Sequence, residues 1–160
     1  GDKIEIGTQK GQVIDVSGHT IGHIAVLFEE AKILFTADSL MALGCGRLFE
    51  GSAAQMWDSL SKLITLDPEC RVCSGHEYTA ANARFALTIE PQNTALQKRI
   101  ERISDMRTKN QPTVPSTLLE ELETNPFLRP QSADIRHNLH MYDASDAQVF
   151  AEIRSRKDKF

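Results

Sequence analysis

No apolar run in this 160-residue chain approaches the roughly 20 residues that cross a bilayer, so no membrane partner is expected. Positive charge is also short: 18 Lys and Arg stand against 22 Asp and Glu, a net charge of −4. Nucleic-acid binding depends on neutralising phosphates, and this balance argues against it. Three cysteines, an odd number, give no disulfide framework and point to a reducing, cytoplasmic setting. Cys70 and Cys73 form an isolated C-x-x-C pair. On a strand, positions three apart face opposite sides, which argues against a zinc knuckle or redox pair there. No repeat or low-complexity stretch is present, and no signal peptide is visible in the residues given. The opening Gly1-Asp2-Lys3 has no methionine, so the native start and any organellar address are expected to lie outside this sequence.

What is present changes character near residue 90. Before it, β-rich runs dominate: 3–6, 12–16, 24–28 and 32–35, the last two flanking a hairpin turn at 29–31. A loop from Met41 to Gly51 carries three glycines, and Ser52 with Gln55 forms a capping-box signature for a helix bearing Met56, Leu60, Leu63 and Ile64. Arg71 to Cys73 reads as a short strand. Thr79 is expected to cap a helix whose Ala83, Ala86 and Leu87 pack on the sheet. After Pro91 the pattern is helical, with Leu96, Ile100, Ile103 and Met106 on one stripe of residues 93–108 and charge on the other face. Ser145 and Gln148 open a final helix with a second capping-box signature.

Three segments carry potential chemistry: Ser17-Gly-His19-Thr-Ile-Gly-His23, Phe35-Thr-Ala-Asp38-Ser39 and Ser74-Gly-His76-Glu-Tyr78. Each places a histidine or aspartate just after a strand-like run, beside a small residue. Strand ends followed by loops are where a fold aims side chains into a common cleft. Imidazole and carboxylate together suit zinc, iron or manganese. Each residue also has a structural reading, as an Asx turn, a cap or a hydrogen-bonding histidine, and on spacing alone both readings stand. Two metal ions need roughly eight to ten bonds, and these segments supply three ligands. His23 reads as a hydrogen-bonding residue, and Trp57 as packing.

These segments, together with Gly44-Cys-Gly-Arg47-Leu-Phe49-Glu-Gly51, resemble successive motifs of the metallo-β-lactamase superfamily. Pro112-Thr-Val-Pro-Ser-Thr117, Asn125-Pro-Phe-Leu-Arg129 and Arg154-Ser-Arg-Lys157-Asp158-Lys-Phe160 narrow the resemblance to the glyoxalase II (hydroxyacylglutathione hydrolase) family. It covers essentially the whole chain. The resemblance implies an α/β fold: residues 1–90 as the second half of an αββα metallo-β-lactamase sandwich, and 91–160 as a small all-helical glutathione-binding domain. It implies two divalent metal ions, zinc, iron or manganese. His19 would ligate one and His76 the other, with Asp38 bridging, and a metal-bridging hydroxide would hydrolyse S-lactoylglutathione to lactate and glutathione. It further implies Arg47, Phe49, Tyr78, Arg154 and Lys157 as the substrate contacts.

The sequence departs from that pattern in places. Ser17 stands for the usual proline, Ser39 for threonine and Arg47 for lysine. Phe49 stands where a tyrosine is common, which removes a hydrogen bond. The family's His-x-His-x-Asp-His segment is nowhere in the chain. The chain alone is therefore expected to bind metal weakly or not at all and to be inactive or nearly so. Its sheet face is expected to self-associate or to capture the missing N-terminal half of the fold. The alternatives are a non-catalytic glutathione- or protein-binding module, or another metallo-β-lactamase-fold hydrolase.

Overall fold

A computed structural model describes all 160 residues. Strands β1 (Lys3–Ile6), β2 (Gln9–Asp15), β3 (Ile24–Phe28) and β4 (Ile33–Ala37) form an antiparallel meander. Gly7, at φ +61°, takes the first corner of the two-residue β1–β2 turn, where a β-carbon would be strained. The chain then forms a small hairpin, β5 (Leu40–Met41) and β6 (Gly44–Cys45), within the glycine-bearing segment that reads from sequence as a loop. Helix α1 (Ala53–Ile64) returns it to β7 (Arg71–Ser74), which pairs parallel with β4. Helices α2 (Thr79–Ile89) and α3 (Thr94–Thr108) follow, and then β8 (Ser116–Thr117), which adds to β7 and completes the sheet order β1-β2-β3-β4-β7-β8. The remainder is helical: α4 (Leu118–Thr124), a 3-10 turn at Pro126–Leu128, α5 (Ala133–Leu139) and α6 (Asp146–Lys159). None of these helices is long and apolar enough to cross a membrane.

One face of the sheet is buried. Ala25, Leu27, Leu34 and Val72 share a single core with Met56, Leu60 and Leu63 of α1, with Phe127 and Leu128, and with Val149, Phe150 and Ile153 of α6. The core thus draws on both the β-rich and the helical segments. Along the other face the register aligns Val13, Val26, Phe35 and Cys73, and Phe35 and Ile24 are each 48% exposed.

Capping follows the sequence in part. At α6, Ser145 and Gln148 make both halves of a capping box, and Thr117 with Glu120 makes another at α4. At α1, Ser52 Oγ accepts the Gln55 N–H at 3.2 Å, with no reciprocal side-chain bond. Thr79 is not a cap: it is the first residue of α2, the Tyr78 cap makes no side-chain bond, and Thr79 Oγ1 is buried without a partner. Ala83 and Ala86 pack with Leu96 and Ile103 of α3 rather than on the sheet, while Leu87 is exposed. The charged side of α3 is also not wholly solvated, because Arg99 is buried.

Candidate active site

Asp38 sits just beyond β4, in a turn closed by the Ser39 N–H donating to the Thr36 carbonyl at 3.0 Å. Ala37 takes φ +45°, a left-handed conformation that costs an alanine about 1–3 kcal/mol and persists only where neighbours enforce it. Here they do. Thr36 Oγ1 donates to the Leu40 carbonyl at 2.7 Å, and Ser39 Oγ donates to the Val16 carbonyl at 3.1 Å. The Gly75 N–H donates to the Ala37 carbonyl at 2.8 Å.

The turn delivers the carboxylate between two imidazoles. His19 Nε2 lies 3.7 Å from Asp38 Oδ2, and His76 Nε2 lies 3.5 Å from Oδ1. His19, His76 and Asp38, far apart in the chain, therefore converge. The His19 ring is oriented by a 2.7 Å hydrogen bond between Nδ1 and the Arg47 carbonyl, which leaves Nε2 facing the carboxylate. His76 is half exposed and stacks on Tyr78, with centroids 5.1 Å apart and planes 10° apart. His23 behaves as the sequence suggests, bonding through both ring nitrogens, to Thr20 and to the Asp38 N–H. Burial, reinforced by His19 alongside, holds its pKa below the usual histidine value.

Whether cations fit here is decided by the donors themselves. Asp38 Oδ1 is buried and has no hydrogen-bond partner, a costly state for a carboxylate oxygen unless a ligand completes it. Two donors on one tetrahedral ion, with bonds near 2.1 Å, lie about 3.4 Å apart, close to the spacings seen on both sides of Asp38. Two glycines keep the space open. A β-carbon on Gly75 would fall 2.7 Å from Asp38 Oδ1, and one on Gly46 would fall 2.8 Å from His19 Nδ1. The Asp38 carboxylate with an imidazole on either side is a donor set that would suit divalent cations. These residues do not close around a single ion, since no group of three His, Cys, Asp or Glu side chains is arranged to hold one.

Around this centre lies a cleft of about 470 Å³ lined by all the residues singled out from sequence: His19, Asp38, Arg47, Phe49, His76, Tyr78, Arg154 and Lys157. Their environments differ. Arg47, Phe49 and Tyr78 are exposed at the rim, and Phe49 packs against His19 with centroids 4.9 Å apart. Lys157 projects from α6 with its ammonium 5.0 Å from the rings of both Phe85 and Phe160. It has no carboxylate within ion-pair distance. Burial, then the nearby Arg154, Arg84 and Arg47, push its pKa down, so an arriving anion would relieve real repulsion.

Arg154, expected from the resemblance to contact substrate, lines the cleft but is also tied into the fold. It is buried, donates to the Cys45 carbonyl at 2.9 Å and to Asp158 Oδ1 at 2.9 and 3.2 Å, and lies over Phe127. Two of these bonds stay within α6, to Asp158, and the third ties Cys45 of β6 to the helix. Cys45 beneath it is no nucleophile, because burial pushes its thiol pKa up to about 11.

Further supports of this loop escape sequence reading. Glu121, fully buried, pairs with Arg99 at 2.5 Å and accepts the Leu43 N–H at 2.8 Å. Asn125 Nδ2 donates to Glu121 and to the carbonyls of Met41 and Gly44 at 3.0–3.2 Å. Asn82 Nδ2 holds the Ala42 carbonyl at 3.0 Å. The only available signal was the Asn-Pro-Phe-Leu motif itself. The remaining histidines have local roles: His140 is a left-handed cap of α5 at φ +57°, and the His137 ring bonds to Tyr142.

Comparison with known proteins matches residues 77–160 to the family described as hydroxyacylglutathione hydrolase C-terminus, and residues 1–76 to the metallo-beta-lactamase superfamily. The chain belongs to the hydroxyacylglutathione hydrolase family. Proteins named hydroxyacylglutathione hydrolase from Roseobacter denitrificans and Jannaschia sp. are 62% and 61% identical to it across the whole chain. The chain spans only 63% and 62% of their lengths. Among solved structures, ETHE1 from Myxococcus xanthus aligns over 98% of this chain and 57% of its own, with a TM-score of 0.56 at 24% identity. The BLEG-1 B3 metallo-beta-lactamase aligns over 81% of this chain and 46% of its own, with a TM-score of 0.54 at 21% identity. The fold is thus the metallo-β-lactamase fold, with a helical C-terminal segment of the hydrolase family.

Proposed function

We propose that this chain carries the substrate-gripping side and part of the metal centre of a thioesterase acting on S-(2-hydroxyacyl)glutathione, S-lactoylglutathione among them. The observation that carries this reading is the Asp38 carboxylate, with an unpartnered buried oxygen and an imidazole on either side, at the floor of a cleft whose far wall holds an unpaired lysine. Asp38 would be shared by two divalent ions, His19 serving one and His76 the other. What such ions supply is Lewis acidity: a nucleophilic water at neutral pH and stabilisation of developing negative charge.

The chain's own residues do the rest. Lys157 and Arg47 attract the carboxylates of the tripeptide, and the rings of Phe49 and Tyr78 wall the path to Asp38. Water, one proton passed to solvent, bonds through oxygen to the thioester carbonyl carbon. The C–S bond breaks, the thiolate leaves with the electron pair, and the 2-hydroxy acid is released as its carboxylate with loss of the water's second proton. Thiolate is a weak base, so no strong general acid is needed beside it.

The remaining ligands would come from the part of the hydrolase family's length that this chain does not span, seated on the sheet face that bears Phe35 and Val26. Left uncovered, that face would drive self-association. The test is thioester hydrolysis with Zn²⁺ by the 160-residue chain, alone and mixed with the N-terminal third of the Roseobacter denitrificans relative. The chain alone should turn over little or nothing, and mixing should restore activity. Turnover by the chain alone would overturn the inactivity of the fragment. A mixed sample that neither hydrolyses the thioester nor binds glutathione would overturn the whole reading.

The lack of any three-ligand group favours a second reading, a glutathione-binding module without catalysis. Calorimetric binding of glutathione with no turnover after mixing would select it.

A further inference from the structure

We propose that His23 is a positioning residue for this metal centre, its Nε2 accepting the Asp38 backbone N–H and thereby fixing the turn that aims the carboxylate. This rests on the metal reading above, but the contact itself is independent of it. The Asp38 N–H donates to His23 Nε2 at 3.2 Å. A ring nitrogen that accepts carries no proton, so the proton sits on Nδ1, which lies 3.1 Å from Thr20 Oγ1 and donates to it. Both ring nitrogens are then used, and His23 is not itself a ligand.

The same ring stands edge-on to His19, with centroids 5.4 Å apart and planes at 88°. One side chain therefore touches two of the three candidate ligands. The strained residue Ala37 lies immediately before Asp38, and the other supports of this turn act on Thr36, Ala37 and Ser39. His23 alone holds the Asp38 amide. An apolar replacement would orphan that N–H and release the aim of the carboxylate.

Four forms of the 160-residue chain test this: wild type, His23→Leu, His23→Gln and Asp38→Ala. The readouts are imidazole ¹⁵N NMR at neutral pH and thermal melting of the chain, and Zn²⁺ affinity by calorimetry after mixing with the N-terminal third of the Roseobacter denitrificans relative, which would supply the remaining ligands. The NMR should place the His23 proton on Nδ1. His23→Leu should weaken Zn²⁺ binding about 10–100-fold, the usual consequence of losing a group that orients a ligand. His23→Gln, whose amide oxygen can accept the same N–H, should recover most of the affinity and melt like wild type. A proton on Nε2 overturns the proposal, as does His23→Leu binding Zn²⁺ like wild type while Asp38→Ala does not. If Asp38→Ala also leaves Zn²⁺ binding unchanged, the metal reading fails, and the NMR result decides the positioning role by itself.

Discussion

The two ends of the cleft are held by opposite means. At the metal end, His19, Asp38 and His76 stand on loops after strand ends, partly exposed, and the innermost carboxylate oxygen has no partner. At the helical end, the groups that hold the Leu40–Cys45 hairpin are buried and answered. Both oxygens of Glu121 are bonded, Asn125 bonds through oxygen and nitrogen, and Arg154 is bound on three sides. The difference separates a polar set kept for a ligand from one kept for the fold. A structural set closes on itself, and a ligand-holding set leaves donors waiting.

The largest expected effect breaks the closed set. Glu121→Ala leaves Arg99 buried without its partner and the Leu43 N–H orphaned, so it should cost about 3–5 kcal/mol in urea unfolding. Asp38→Ala, by contrast, removes an uncompensated carboxylate and should shift stability by less than about 1 kcal/mol while weakening Zn²⁺ binding. Equal losses for the two variants would erase the distinction between the ends.

A second contrast lies within α6. Arg154→Ala should lower folding stability by about 1.5–3 kcal/mol, because charge-assisted bonds to Cys45 and Asp158 are lost. Lys157→Ala should leave melting nearly unchanged and weaken glutathione binding about tenfold, measured by calorimetry. Since the Lys157 pKa is depressed, that binding should also fade as pH rises, sooner than an ordinary lysine would allow. If Lys157→Ala melts early while binding glutathione normally, the assignments are exchanged.

Acid should act on a second buried carboxylate whose bonds are answered, Glu90. Burial pushes the Glu90 carboxyl upward, but hydrogen bonds from Arg129, Asn93 and Ser132 outweigh it and hold its pKa below the usual value. A depressed pKa in the fold contributes stability above the unfolded value of about 4.3, and that stability is lost as pH falls through the folded value. Glu90→Gln should therefore flatten the acid limb of stability against pH, read by urea midpoints between pH 5 and 3.

The ease of reading the sequence follows the same division. The convergence of His19, Asp38 and His76 was only half legible: an apolar run and a glycine or small residue beside each left a structural reading equally open, and only the family resemblance favoured a shared centre, whereas the final helix announced itself through Ser145 and Gln148. What local pattern cannot show is pairing across long stretches of chain. Asn125 reaches carbonyls 81 and 84 residues away. Arg99 reads as one more charge on a polar helix face, until Glu121 is found opposite it. Arg154 and Lys157 share a face at one spacing, yet one is buried by the Cys45 loop and the other turns to the cleft, which only the packing of α6 decides. Strand β8, two residues long, carries no periodicity to detect.

The smallest effect sharpens a contrast inside the metal end itself. His19 is oriented by a hydrogen bond from its own ring, whereas His76 has only the face of Tyr78 to lie on. A stacked aromatic pair contributes about 0.5–1.5 kcal/mol, and at this exposed position the lower figure applies. Tyr78→Leu should thus leave the melting temperature unchanged and weaken Zn²⁺ binding only about two- to threefold. His76→Ala should weaken it far more, because it removes a donor rather than its support. Equal losses in Tyr78→Leu and His76→Ala would mean that the ring's orientation, and not its nitrogen, is what the site lacks when Tyr78 is gone.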